Sequence, residues 1–138
     1  MLITVRCASL AVLFVIGCSD VMAAEEGLKE IREHSGVMAR DAEDMVMHGG
    51  MGDTKAILHH CLEVTRHAQV ILKLLPPTDP HGKEAAGLLQ EAIRQCQRVE
   101  SIGVNVDPGA PLNPAAKART AVRAAVKHLS VLSGEGKH

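Results

Sequence analysis

The chain has 138 residues, room for one domain and not two once a leader is set aside. Lys and Arg total 15 against 16 Asp and Glu, and the formal charge of -1 excludes a general field that would draw in nucleic acid or an anionic membrane surface. Eight His and six Met stand beside no Trp, no Tyr and a lone Phe, Phe14, a composition that suits closely packed helices better than aromatic-rich strands.

The first element is a targeting segment. Arg6 supplies a short basic region, and Cys7 to Gly17 is an apolar run too short for a stable membrane span. Small residues follow at Ala23 and Ala24. Residues 1–23 are therefore expected to be a signal peptide cleaved after Ala23, with 24–138 as the mature domain. The alternative is a lipobox at Val15-Ile16-Gly17-Cys18, which would leave Cys18 as a lipid anchor. Either route delivers the domain to the periplasm or cell envelope, an oxidising compartment.

Four amphipathic helices follow. Leu28, Ile31, Ser35, Met38, Ala42 and Met45 step by three and four, the stripe of a helix that ends near His48 and is broken by Gly49, Gly50 and Gly52. Asp53 or Thr54 can cap the next helix, whose stripe is Ile57, Cys61, Val64, Ala68, Ile71 and Leu75 before Pro76-Pro77 stops it. Asp79-Pro80 reads as a cap followed by proline at the first helical position, and the third stripe is Ala85, Leu89, Ala92, Cys96 and Val99. A Gly- and Pro-rich loop spans Gly103 to Pro111. Asn113-Pro114 then repeats the cap signal, and Ala118, Val122, Ala125, Leu129 and Leu132 form the last stripe, with a frayed GEGKH tail. Helix one is acidic, while helix four carries Lys117, Arg119, Arg123 and Lys127, so the two are expected side by side. The expected fold is all-α, an antiparallel up-down-up-down four-helix bundle.

The histidines follow the same arithmetic. His34, Asp41 and His48 are spaced by seven along one edge of the first stripe, and His60 and His67 have the same spacing on the second helix. Folding this hairpin about Gly50 sets His34 level with His67, Asp41 with His60, and His48 with Asp53. Imidazole suits copper(II), nickel(II) and zinc(II), and each rung spans helices whose axes lie roughly 8–10 Å apart. Glu30, Asp44 and Glu63 each lie one turn before a histidine and can act as further ligands or orient the rings. His34, His48, His60 and His67, with Asp41, Glu63 and Asp53 as oxygen donors, form the candidate metal set. His128 flanks the last stripe and can join a site, whereas His59 on the outer face and His81 in an interhelical loop are expected to be exposed and dispensable.

The run His48-Gly49 through Gly52, Thr54, Leu58, His60 and Glu63 to His67-Ala68 follows the pattern H-G-x-x-G-x-T-x-x-L-L-x-H-x-x-E-x-x-x-H-A, with Ile57 at the first Leu. In this it resembles the small metal-binding protein family. Ala125-Val126-Lys127-His128-Leu129 is similar to that family's closing A-x-x-H-L helix. The resemblance implies a periplasmic, His-rich four-helix bundle that binds copper(II) and other divalent ions in storage, detoxification or chaperoning, with His48, His60 and His67 as ligands and His34 matching an upstream histidine. It covers about a third of the chain, and where the family repeats its histidines this sequence has Gln95, Cys96 and Gln97, implying fewer ions.

Cys61 and Cys96 occupy core positions on helices two and three at nearly the same level. A disulfide, two buried thiols, or a copper(I) site with nearby Met side chains are all open. Met38 and Met45 fall on the buried stripe as core filler, whereas Met47 and Met51 lie nearer the surface. No CxxCH, HExxH, phosphate loop or nucleophile-base spacing occurs, so no enzymatic activity is expected. The expected protein is a monomer that binds and buffers divalent metals, copper(II) first. A structural or protein-interaction bundle and a non-covalent b-type haem bundle are the competing expectations.

Overall fold

The structure is a computed structural model that describes residues 17–104, 107 and 109–134, with side chains from Met22 onward. Residues 1–16 of the expected leader and the tail past Gly134 lie outside the described residues. Four helices account for nearly all of the rest: α1 (Gly17–Gly50), α2 (Thr54–Leu74), α3 (Pro80–Ile102) and α4 (Leu112–Leu132). No strand occurs among the described residues, and no helix among them is long and apolar enough to cross a membrane. Helix α1 packs against α2 and α4, and α3 against the same two helices, while α2 and α4 barely touch and so lie across a diagonal. This is a four-helix bundle.

The stripes read from the sequence are the ones that bury. Ile31, Met38, Ala42 and Met45 of α1 meet Ile57, Cys61, Val64, Ala68 and Ile71 of α2, Ala85, Leu89, Ala92, Cys96 and Val99 of α3, and Ala118, Val122, Ala125 and Leu129 of α4 in one core. Ala115 and Ala121 add to the small-residue face of α4. Small side chains there allow neighbouring backbones to approach closely, which compensates for a core without aromatic bulk.

The ends follow local chemistry, with two differences from expectation. Asp53 caps α2 by accepting the amide hydrogen of Ala56 at 2.9 Å, and Asp79 caps α3 by accepting that of Gly82 at 3.0 Å, ahead of Pro80. Gly52, at φ 78°, makes the left-handed turn between α1 and α2, and Leu75, extended before Pro76, ends α2. The cap expected at Asn113 is not formed. Helix α4 starts two residues earlier, after Pro111, with no side-chain cap, because the turn closed by Asp107 and Ala110 already leads the chain into helical geometry. His81 is not in a loop either, since the cap at Asp79 places it in the first turn of α3.

The acidic face of α1 meets the basic face of α4 as the charges predict. Arg123 holds Glu43 through two hydrogen bonds of 2.5 and 2.8 Å, and Arg119 stands 3.7 Å from the same carboxylate. The bidentate geometry fixes the α1–α4 register, although pairs this exposed contribute only about 0–1 kcal/mol each.

Candidate metal centre

Two histidine sets sit where α1 faces α2. In the first, the Nδ1 atoms of His34 and His67 are 2.6 Å apart. His67 is only 5% exposed, deeper than a flanking position suggests. Its other nitrogen, Nε2, accepts from the guanidinium of Arg66 at 2.8 Å. Guanidinium is a donor only, so the neutral His67 ring carries its proton on Nδ1 and donates it to Nδ1 of His34. His34 then presents its Nε2–H toward Glu30, whose carboxylate is 3.8 Å away. Glu63 lies 3.9 Å from His67 but is held by Arg66 at 2.7 Å, which keeps its carboxyl below the usual carboxylate range.

The second set is built on His60. Its Nδ1 is 2.9 Å from Asp41 Oδ1, and a carboxylate can only accept, so His60 donates from Nδ1 and keeps the Nε2 lone pair. Asp41 is thus placed to orient the ring rather than to ligate from the opposite rung. The His48 ring stacks on His60 at 5.5 Å and 13°, and the His59 ring meets it edge-on at 5.3 Å. Stacked rings present faces, not lone pairs, to each other. His48 must therefore turn about its side-chain torsions before it and His60 can reach the same ion.

The expected rung between His48 and Asp53 is not formed. The Asp53 carboxylate is committed to the amide of Ala56, and the backbone of Asp53 hydrogen-bonds to the His48 carbonyl, so the cap function outcompetes the ligand function. His128 does gain a partner, and it is His81: their Nδ1 atoms are 3.1 Å apart, with ring centroids 5.4 Å apart. The sequence signal for this pair was available, since an antiparallel course of α3 and α4 would set the start of one helix against the end of the other. The Arg66–His67 contact had no such signal, because adjacent residues do not normally share a helix face.

Two nitrogens bound about 2.0–2.1 Å from one ion, at angles between a right angle and tetrahedral, stand about 2.9–3.4 Å apart. The His81–His128 separation falls in that window, whereas His34 and His67 must part by a few tenths of an ångström to admit an ion. Among the described residues no three His, Cys, Asp or Glu side chains already form a group that would hold a metal. The arrangement is one of two-nitrogen sites with carboxylates close behind them.

Burial pushes the His67 pKa below its ordinary 6.5, with the Arg66 charge and His34 adding to that effect and Asp41 and Glu63 opposing it. The folded chain therefore favours the neutral ring. This contribution to stability is fully present above the unfolded value of 6.5 and is lost as pH falls through the lower folded value. Denaturant titrations taken downward from neutrality are expected to show a loss of stability beginning near pH 6.5, and a His67→Gln variant is expected to flatten that part of the curve. An unchanged slope in the variant would assign the acid sensitivity to other groups.

No protein-family model, curated protein or solved structure matches the chain.

Proposed function

We propose that the protein binds and buffers divalent transition metals, copper(II) first and nickel(II) or zinc(II) after it, without catalysing a reaction. The observation that carries this reading is the meeting of imidazoles from α1 and α2: His34 on His67, and His48 on an Asp41-oriented His60. Neutral imidazole nitrogens are strong ligands for borderline ions, and a carboxylate behind the ring raises its basicity and fixes its tautomer. His34, His48, His60 and His67 are the proposed ligands, Asp41 and Glu63 the supporting carboxylates, and His81 with His128 a second, more exposed site. Asp53 has no part in the proposed set.

The two contacts His34–His67 and Asp41–His60 run in opposite order along α1 and α2. Together with the short connections, this supports an antiparallel up-down-up-down course. The resemblance of His48–Ala68 to the small metal-binding protein family supports the same function. The leader-like residues 1–23 support action in the periplasm or cell envelope, either free or anchored through Cys18.

Calorimetric titration of residues 24–138 with copper(II), nickel(II) and zinc(II), repeated on a His60→Ala, His67→Ala double variant, tests the proposal. Loss of the tighter copper(II) uptake in the variant is expected, with a weak d-d band in the visible spectrum of the parent. Unchanged stoichiometry would reject these residues. One observation favours a second reading, a purely structural bundle: His34 and His67 already satisfy one another by hydrogen bonding, with no three-ligand group among the described residues. That reading requires no titratable uptake at all, and an intense Soret band on adding haem would indicate the haem bundle instead.

Arg66 opposes ion capture twice over, by occupying His67 Nε2 and by placing a positive charge beside the site. An Arg66→Leu variant is expected to bind copper(II) several-fold more tightly, since one guanidinium charge this close and this exposed acts with about 1 kcal/mol. Weaker binding in that variant would mean that Arg66 builds the site rather than restrains it.

A further inference from the structure

Beneath the imidazoles lies a second set of donors of different chemistry. Cys61 follows His60 on α2, and its thiol donates to the thioether of Met45 on α1 at 3.1 Å. Cys96 on α3 lies near enough to Cys61 to push its thiol pKa upward. All three residues are 0% exposed, and both cysteines are free thiols. Three sulfur-bearing side chains from three different helices are thus neighbours within the core.

From this convergence we infer that Met45, Cys61 and Cys96 form a buried site for a soft monovalent ion, copper(I), separate from the histidines that face the divalent ions. Core packing alone does not call for three sulfur-bearing neighbours, because Leu or Ala would fill the same space without polar hydrogens. Thiolate and thioether donors select soft ions, and three of them fall short of the four ligands of a closed zinc site. Charge points to the same ion. On binding, one thiol releases its proton to solvent and a sulfur–copper bond forms, so the positive ion and the thiolate leave the core neutral. No electron moves. A divalent ion would need both thiols to ionise, and a core this fully buried disfavours placing the extra charge there. Because the sulfurs have no exposure, an ion reaches them only when the helices part, and loading is expected to be slow.

The test uses the full chain, reduced and free of oxygen. Copper(I) is supplied as its acetonitrile complex and challenged with a chromophoric copper(I) chelator. One ion per chain is expected to resist the chelator, with X-ray absorption showing a shell of sulfur only. A Cys61→Ala, Cys96→Ala double variant is expected to lose that ion. Met45→Leu, which conserves volume and keeps the core intact, is expected to hold it at least several-fold less tightly. Circular dichroism shows whether each variant remains helical. Failure of the parent to retain copper(I), a nitrogen-containing shell, or retention unchanged in a helical double-cysteine variant or in Met45→Leu would overturn the inference. None of these outcomes depends on whether the histidines take up divalent ions.

Discussion

An Asp41→Asn variant is expected to bind copper(II) about 10- to 100-fold more weakly than the parent, the range found when a carboxylate behind a metal-binding histidine is removed. Asp41 reaches the site from α1 and accepts from Nδ1 of His60 at 2.9 Å, which leaves His60 Nε2 as the free ligand atom. Asparagine has nearly the same shape and can still accept that hydrogen bond through its side-chain oxygen. It lacks the charge that makes the imidazole a stronger base and that also acts on His67. The loss should therefore appear in affinity with little change in fold. Glu43→Gln is the matched control, because Glu43 lies on the same helix but faces Arg119 and Arg123 of α4. Equal copper(II) isotherms for the parent and Asp41→Asn would remove Asp41 from the site, and equal losses in the two variants would reduce the effect to net charge.

The second large effect is structural and bears on the same hairpin. Ile57 is fully buried in the first turn of α2 and packs where the end of α1 and the start of α4 come together. Ile57→Ala is expected to cost about 2–5 kcal/mol, the range for large-to-small changes at sites that cannot collapse. For a domain of this size that lowers Tm by about 10 °C or more. Gly49 provides a check on the mechanism. A methyl group there would stand 2.7 Å from Leu112 Cδ1 and 3.1 Å from Ile57 Cδ1, so Gly49→Ala obliges the flexible ends of both side chains to shift. In the Ile57→Ala background the vacated space takes up both the methyl and the displaced end of Leu112, and the double variant is expected to be more stable than the sum of the two single effects would predict. Strict additivity in thermal melts would show that the two positions do not share a cavity.

Much of this molecule is legible in its residues because helices announce themselves by period. The stripes from Ile31 to Leu129, the caps at Asp53 and Asp79 and the proline stop after Leu75 all rest on rules that operate within one or two turns of chain. The levels at which Cys61 meets Cys96 and His34 meets His67 follow from simple folding of hairpins, since helical rise is uniform. The finer features are set by competition that spacing does not resolve. Asp53 had two possible uses, and the cap prevailed because the amide of Ala56 is fixed by the helix itself, whereas a distant imidazole is not. Arg66 on His67 depends on a long side chain folding back along the surface, and the stacking of His48 on His60 depends on torsions. The pairing of His81 with His128 was within reach of the same hairpin arithmetic, but it was obscured by placing His81 outside the helix.

Helix α1 runs on well before its first packed residue. Residues 22–26 are exposed, and the side chains begin to meet the core only at Leu28. From there back to Gly17 the helix extends roughly 15 Å at 1.5 Å per residue. Trimming those turns would remove no core residue, and anything tethered at the amino end would be kept at a stalk's length from the imidazoles.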